Sequence, residues 1–286
     1  MSSFGPFLWD RVLRIYGRWL PSHPGKWRVL DALAHKAAPT WTSARITQCH
    51  GIKYEVDPHN LIDRYIFYLG EWEARETRYL RRTIQPGWSI FDVGANLGYF
   101  TLQFARLAGE KGRVYAFEPA AATHETLKRN IRLNALSNIA TYQIALANRR
   151  GEGRLVWPSS SNPGKVRLTA CTEEGTESVP VLTFDEFVSQ EKVERIDFIK
   201  VDIEGSEVDF LRGAREALCA FKPAILIEIN QGALQVFGTS GEELVKLLEG
   251  VGYRLYLMTR MGLRPLGKLP ARRLTFIDVL ALPSRS

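Results

Sequence analysis

The stretch FDVGANLGYFT (residues 91–101) places a glycine-rich turn between a short apolar run and an amphipathic one. The residues that could do chemistry here are Asp92, Gly94, Ala95, Asn96 and Gly98. Glycines in such a turn let the backbone approach a ligand closely. A second apolar run ends at Glu118, 20 residues after Gly98, where a carboxylate can accept hydrogen bonds from ribose hydroxyls. Together these residues indicate a cofactor that contains adenosine.

The spacing of the glycines distinguishes between adenosine cofactors. A dinucleotide site has the pattern GxGxxG, which brings the pyrophosphate to a helix N-terminus, whereas this turn reads GxxxG. Asp92 would also place a negative charge beside that pyrophosphate. S-adenosylmethionine has a cationic amino-acid end and no phosphate, so it fits better, and Tyr99 is a candidate to pack on its methionine end. An NAD-dependent oxidoreductase is the alternative.

A second acidic group follows the apolar run IDFIKVD (residues 196–202). Because parallel strands end at a common edge of the sheet, Asp202 is expected near Asp92. Transfer of a methyl group to a hydroxyl requires alignment of the two reactants and removal of the hydroxyl proton. Asp202 is the first candidate for the general base or for orienting the hydroxyl, and Glu204 is the second.

A divalent cation is an alternative use of these carboxylates. Glu228 and Asn230, at the end of the next apolar run, would supply further oxygen ligands. This alternative is not favoured, and no metal ligand is assigned. Glu207 is explained structurally, since an acid in the first turn of a helix stabilises the helix dipole. Lys200, inside the preceding strand, is expected to extend to solvent, with contact to an acidic neighbour as the alternative.

The elements that would position these residues alternate along the chain from about residue 86. Predicted strands lie at 89–93, 113–118, 140–146, 196–202 and 223–229, with a final strand in RRLTFIDVLAL (residues 272–282). Helical patterns lie between them, and one opens at Thr183 with Glu186 completing a capping box. This is the βαβ order of a parallel sheet. Residues 147–180 are expected to form a loop or a small β excursion.

Composition excludes several classes of protein. The chain has 286 residues, of which 45% are apolar, and three separated cysteines that indicate neither a disulfide framework nor a zinc site. It contains no long uncharged apolar run and no secretory signal pattern, so an intracellular, cytoplasmic protein is expected. The net charge of +7 lies at the two ends of the chain. No nucleic-acid motif accompanies this charge, so nucleic acid is not an expected partner.

Four segments together carry a family resemblance: FDVGANLGYFTLQFA, YAFEP, LTFDEF and IDFIKVDIEGSEVDFLRGA. Over about residues 65–230 the chain resembles the FkbM-type family of S-adenosylmethionine-dependent methyltransferases. The resemblance implies an α/β, Rossmann-like class I methyltransferase sheet, mostly parallel with an antiparallel last strand. It also implies cofactor contacts from Pro119, Asn138, Ala145 and Leu146. The family often has Tyr-Glu-Pro where this chain has Trp72-Glu73-Ala74, which leaves the role of Glu73 open.

These observations predict a helical N-terminal extension (1–80) and a methyltransferase domain (81–286). The expected reaction is O-methylation of a sugar, a lipid-linked glycan or another small metabolite. The alternative is a catalytically silent cofactor-binding module that acts through its basic N-terminal helices. The first of these, with its interleaved aromatic and arginine residues, is expected to pack on the domain or to contact the inner face of an anionic membrane peripherally. The oligomeric state is left open.

Overall fold

The computed structural model describes residues 5–20, 25–37, 43–57, 59–156, 167–169, 177–259, 261–267, 269 and 276–284. Its helices, α1 to α11, are Gly5–Trp19, Lys26–Ala37, Leu61–Leu69, Ala74–Thr83, Tyr99–Ala108, Ala121–Asn134, Phe184–Gln190, Glu207–Gly213, Arg215–Phe221, Gln231–Val236 and Gly241–Gly250. Its strands, β1 to β14, are Arg45–Cys49, Ile52–Val56, Ser89–Val93, Arg113–Phe117, Ile139–Tyr142, Ala145–Leu146, Gly151–Val156, Arg167–Thr169, Glu177–Leu182, Phe198–Val201, Ala224–Asn230, Tyr253–Thr259, Gly262–Pro265 and Phe276–Pro283.

Eight of the described strands form a central sheet in the order β13-β12-β14-β11-β10-β3-β4-β5. The strands from β11 to β5 in this order are parallel, and β14 runs antiparallel to β11. The predicted mostly parallel sheet with an antiparallel last strand is therefore confirmed. Every residue of β10 is buried, as expected for a central strand covered by helices on both faces.

The predicted strand at 140–146 is wrong as a single element. The structure divides it into β5, at the edge of the central sheet, and β6, which pairs with β9 in a second sheet of order β6-β9-β7-β8. An apolar run does not show which strand each part of it will pair with. Here the run is divided because its second part, β6, pairs with β9. The β excursion predicted for 147–180 is confirmed for its described part, and residues 157–166 and 170–176 lie outside the described residues.

The N-terminal region contains a β-hairpin as well as helices, which sequence analysis did not predict. Strands β1 and β2 pair across His50 and Gly51, whose φ angles are 51° and 79°. This turn lacks the Asn-Gly or Asp-Gly signature of a tight hairpin. The side chains of Asn130 and Asn134 accept hydrogen bonds from the Glu55 and Lys53 backbone N–H groups at 2.7 and 2.8 Å, which joins the hairpin to α6.

The apolar core lies on both faces of the central sheet. One buried cluster joins the N-terminal region, including Leu13, Leu30 and Tyr54, to Leu102 of α5. The other lies between the sheet and α7, α8, α9 and α11. In the part of the chain that the structure describes, no helix is both long and apolar enough to cross a membrane.

Candidate cofactor and acceptor site

The glycine-rich turn packs against the end of β10 too closely for a side chain. The backbone N–H groups of Gly94 and Ala95 donate to the Phe117 carbonyl at 3.0 and 2.9 Å. Gly94 has a φ of +87°, and a Cβ atom there would lie 1.9 Å from the Asp202 carbonyl oxygen. Gly98, with a φ of +95°, would place a Cβ 2.6 Å from the Leu127 side chain. Both positions therefore require glycine.

A cavity opens at the carboxyl ends of the parallel strands, and we call it the edge cavity. It brings together the predicted residues Asp92, Gly94, Ala95, Asn96, Tyr99, Glu118, Pro119, Ala145, Leu146, Asp202 and Glu204. Gly98 is not among its lining residues and lies behind the turn, directly before α5. Asn138, another suggested cofactor contact, lies at the opposite end of its strand, where its amide donates to the Ala105 and Gly109 carbonyls at 2.9 Å.

We divide the edge cavity by the strands that carry its lining residues. The part over β3, β4 and β6 is lined by the glycine turn with Glu118, Pro119, Ala145 and Leu146, and we call it the donor half. The part over β10 and β11 is lined by Trp72, Glu73, Asp202, Glu204, Glu228 and Asn230, and we call it the acceptor half. Lys200 is the one basic side chain among the described residues that line the cavity.

Glu118 is held in place by the backbone around it. Its side chain accepts hydrogen bonds from the N–H groups of Asn96, at 2.9 Å, and Ala120, at 3.0 Å. Burial raises the pKa of this carboxyl to about 7, although both N–H groups favour the ionised form. A carboxylate has about four lone-pair positions, so Glu118 can still accept hydrogen bonds from the hydroxyls of a ribose.

Asp92 presents a buried acceptor atom that none of the described groups satisfies. The residue is 1% exposed, and its Oδ2 accepts a hydrogen bond from the Thr101 hydroxyl at 2.5 Å. Its Oδ1 is buried and has no hydrogen-bond partner among the described residues. Burial raises the pKa of this carboxyl, and the nearby Lys200 ammonium opposes the change. A buried unsatisfied acceptor is costly, and a donor group on a ligand would remove that cost.

The donor half fits S-adenosylmethionine by these observations. Glu118 suits the ribose hydroxyls, the unsatisfied Asp92 oxygen suits an ammonium group, and Ala145 and Leu146 provide an apolar wall for an adenine ring. A pyrophosphate would require compensating positive charge, whereas the donor half carries the carboxylates of Asp92 and Glu118. The acidic lining of the donor half therefore favours S-adenosylmethionine over a dinucleotide, as the GxxxG spacing also does.

Lys200 is buried, and the prediction that it extends to solvent is wrong. The residue is 3% exposed, and its Nζ donates to Asp202 Oδ2 at 2.9 Å and lies 4.8 Å from the centre of the Phe100 ring. Burial opposes its charge, but Asp202, Glu73 and Asp92 together raise its pKa above the usual value. The cause is its position in β10, whose two faces are both covered.

Two further acids follow Asp202 and have different roles. Glu204, which has a φ of 52°, lines the acceptor half. Glu207 is fully buried, and its Oε1 accepts from the Ile203 and Gly205 N–H groups at 3.1 and 3.2 Å. Glu207 therefore holds the loop before α8, in agreement with its structural interpretation. In the described residues, no group of three or more His, Cys, Asp or Glu side chains is arranged to hold a metal ion.

Sequence reasoning missed the residues that the N-terminal region contributes. Trp72 and Glu73 enter the acceptor half from the segment before α4, and Glu73 has a φ of 44°. The Tyr99 hydroxyl accepts a hydrogen bond from the Trp72 N–H at 3.0 Å and lies 3.3 Å from the Thr77 hydroxyl. Tyr99 thus anchors this segment to α5. The departure from Tyr-Glu-Pro was the one sequence signal that pointed to Glu73.

Asp278 is a second residue that was missed. It lies on β14, directly opposite Glu228 on β11. Burial raises the pKa of Glu228 to about 10 and that of Asp278 to about 7, and neighbouring carboxylates, Asp202 among them, add to both shifts. Because β14 is distant in sequence from β11, only the antiparallel pairing brings these two carboxyls together.

Known proteins resemble this chain over the same region. Residues 92–255 match the family model of the methyltransferase FkbM domain. Methyltransferase 1 of Beauveria bassiana is 30% identical over 144 residues, which cover 43% of this chain and 57% of that protein. Hexuronic acid methyltransferase AglP of Haloferax volcanii is 27% identical over 146 residues, which cover 50% of this chain and 56% of that protein.

A third relative matches over a longer stretch. The 31-O-demethyl-FK506 methyltransferase FkbM of Streptomyces tacrolimicus is 27% identical over 206 residues, which cover 61% of this chain and 76% of that protein. The chain spans less than two thirds of the length of the other two relatives. The family match covers the glycine turn, Glu118, Asp202 and Glu228, and this chain belongs to the FkbM methyltransferase domain family.

Proposed function

We propose that this protein transfers a methyl group from S-adenosylmethionine to a hydroxyl of a sugar or another small metabolite. The observation that carries the proposal is the edge cavity itself. It combines a donor half suited to an adenosine with a cationic end and an acceptor half whose carboxylates can receive a proton. Membership of a methyltransferase family supports the class of reaction, and two relatives are named for a hexuronic acid and for a 31-O-demethyl compound.

Asp202 is the proposed proton acceptor. Lys200 holds its Oδ2 at 2.9 Å, and the Asp202 side chain remains 29% exposed, so the carboxylate is fixed in direction and still reachable by an acceptor. When bound, S-adenosylmethionine supplies an electrophilic methyl group. In that transfer the Asp202 carboxylate would take the proton that the acceptor hydroxyl loses. Glu204 is the second candidate for this role.

Calorimetric titration of the purified protein with S-adenosylmethionine and with NADH, with and without magnesium, tests the cofactor. We expect S-adenosylmethionine to bind and NADH not to bind. Binding of NADH alone would favour the oxidoreductase. Failure of folded protein to bind S-adenosylmethionine would contradict the proposal.

Two substitutions separate cofactor binding from chemistry. Asp92→Ala should abolish binding of S-adenosylmethionine while circular dichroism shows a folded protein. Asp202→Asn should bind the cofactor normally and lower turnover by about 100-fold or more, the range of general base catalysis. Normal turnover of Asp202→Asn would reject the base assignment. A protein that binds the cofactor and methylates no acceptor would instead support the silent module.

We also propose that α1 contacts an anionic membrane surface peripherally. Trp9, Ile15 and Trp19 of this helix are 60%, 50% and 82% exposed, and the exposed Arg11 lies on the same helix. Exposed apolar side chains beside a cation suit an interface with anionic lipid. The protein should sediment with vesicles containing phosphatidylglycerol, and Ile15→Ser/Trp19→Ser should sediment less. Absence of sedimentation with these vesicles would remove this proposal.

A further inference from the structure

We infer that the acceptor half takes an uncharged polyhydroxyl ring, discriminates against acceptors that carry a carboxylate, and uses Glu73 to make this distinction. This inference rests on the proposed function and narrows its substrate class. The basic ends of the chain would by themselves be compatible with an anionic acceptor. Among the described residues, those ends contribute no basic side chain to the edge cavity.

The charge of the acceptor half is the first argument. Four carboxyl groups line it, namely Glu73, Asp202, Glu204 and Glu228. Lys200, the one cation in the described lining, already donates to Asp202 at 2.9 Å. Anionic ligands are normally bound by arginine, lysine or clustered N–H groups. A carboxylate on the acceptor would therefore enter a site lined by four acidic side chains, in which the described residues include no arginine and the one lysine is already paired.

Unsatisfied polar atoms are the second argument. Among the described residues, the Oε2 atoms of Glu73 and Glu228 are both buried without a hydrogen-bond partner. A hydroxyl group can donate one hydrogen bond and accept two, so it can satisfy a carboxyl group in either protonation state. A ring with several hydroxyls would supply partners for both atoms, whereas an acceptor carboxylate could accept only from a protonated carboxyl group and would repel an ionised one.

Glu73, which we infer distinguishes neutral from carboxylate-bearing acceptors, has an unusual backbone conformation. Its φ of 44° and ψ of 61° lie in the left-handed region, which is costly for a residue other than glycine. Burial raises its pKa, and Asp202, Asp278 and Glu76 act in the same direction against Lys200. Trp72, beside it, lines the same half and packs edge-on against Tyr65 at 4.9 Å. A fixed aromatic ring next to carboxyl groups suits the apolar face and the hydroxyl edge of a sugar.

Matched pairs of acceptors test the inference directly. The methyl glycosides of glucose, galactose and mannose would each be compared with the corresponding uronide, which differs in having a carboxylate in place of the hydroxymethyl group. With labelled S-adenosylmethionine, we expect kcat/KM for the neutral member to exceed that of the uronide at least tenfold. An equal or faster uronide would overturn the inference. The inference would also be overturned if protein that binds S-adenosylmethionine methylated none of the neutral glycosides. If the protein did not bind S-adenosylmethionine at all, the proposed function itself would be rejected.

Glu73→Gln tests the assignment of the distinguishing residue, with Glu71→Gln as its matched control. Glu71 lies two residues earlier, and its side chain is 41% exposed. We expect Glu73→Gln to reduce the neutral-to-uronide ratio at least fivefold while the affinity for S-adenosylmethionine stays within twofold. Glu71→Gln should leave the ratio unchanged. If Glu73→Gln keeps the wild-type ratio, or if Glu71→Gln changes it equally, Glu73 is not the residue responsible.

Discussion

At the scale of single residues, Glu118 couples the cofactor site to pH. Burial raises its pKa to about 7, so near neutral pH this carboxyl is divided between its two protonation states. Ribose hydroxyls donate to the ionised form, so cofactor binding should lower this pKa. By linkage, the affinity must then fall as pH drops through 7 and level off above it.

We therefore predict that the affinity for S-adenosylmethionine falls about tenfold between about pH 8 and pH 6, the change expected for one linked proton. Glu118→Gln should bind more weakly and lack this part of the pH dependence. The ionisation of the ligand itself is common to both proteins, so their difference in calorimetric titrations isolates Glu118. Parallel pH profiles for the two proteins would contradict the prediction.

Gly94 tests how closely the turn packs on β10. Gly94→Ala places a side chain at a φ of +87° and 1.9 Å from the Asp202 carbonyl, whereas Gly87, with a φ of +83°, has no heavy atom within 4 Å of the same added carbon. We expect Gly87→Ala to lower the free energy of unfolding by about 1–2 kcal/mol, the usual cost of left-handed backbone. Gly94→Ala should cost at least about 2 kcal/mol more, from the forced displacement of backbone. Equal midpoints in urea would show that the turn relaxes freely.

At the scale of elements, Arg18 joins α1 to α3 and β1. Its guanidinium group donates to the carbonyls of Phe67, Ile66 and Gln48 and to the Thr47 hydroxyl, at distances from 2.7 to 3.2 Å. Two of these carbonyls lie near the C-terminus of α3, where positive charge is favourable. Arg18 therefore has a structural role, unlike the exposed Arg11 of the same helix.

Arg18→Met should lower the free energy of unfolding by about 2–4 kcal/mol, because the part-buried carbonyls of Ile66 and Phe67 lose a charged donor at once. Arg11→Met, at an exposed position of the same helix, should change it by less than about 0.5 kcal/mol. Urea unfolding followed by circular dichroism measures both. A cost for Arg18→Met no larger than that for Arg11→Met would mean that α1 is not held by these bonds.

At the scale of the whole molecule, the N-terminal region and the sheet share one core. Leu13, Leu30 and Ile66 belong to the same buried cluster as Leu102 and Phe104 of α5. The division of the chain at residue 80 stays a prediction. Because the two parts share this cluster, unfolding of either one would expose apolar side chains of the other. We therefore expect them to unfold together.

We predict a single unfolding transition for the full chain. Tryptophan fluorescence, to which Trp9, Trp19 and Trp72 contribute from the N-terminal region, should give the same urea midpoint as circular dichroism at 222 nm, which follows the helices of the entire chain. Coincident transitions are the standard sign of two-state unfolding. Separate midpoints would mean that residues 1–80 fold as an independent unit.

The features that sequence alone determined depend on near neighbours in the chain. Strand β3 has the predicted bounds, since the change from a strand pattern to a helical pattern occurs at the glycine turn itself. The capping box also forms as predicted, because the side chains of Thr183 and Glu186 each accept a hydrogen bond from the backbone N–H of the other, at 3.1 and 3.0 Å. The common edge of the parallel strands then followed from the general rule for open α/β sheets.

Tertiary structure alone decided the contacts of Lys200, Glu73 and Asp278. Lys200 was expected in solvent, but both faces of its strand are covered, and its ammonium group instead contacts Asp202 and the Phe100 ring. Glu73 reaches the cavity because Tyr99 anchors its segment, and Asp278 meets Glu228 because β14 pairs with β11. These contacts join residues far apart in the chain, and their free energy depends on burial and on which charges surround each group. Sequence therefore determined the parallel sheet and the donor half, whereas the hydrogen bonding of the acceptor half and the contributions of Glu73 and Asp278 arose from long-range packing.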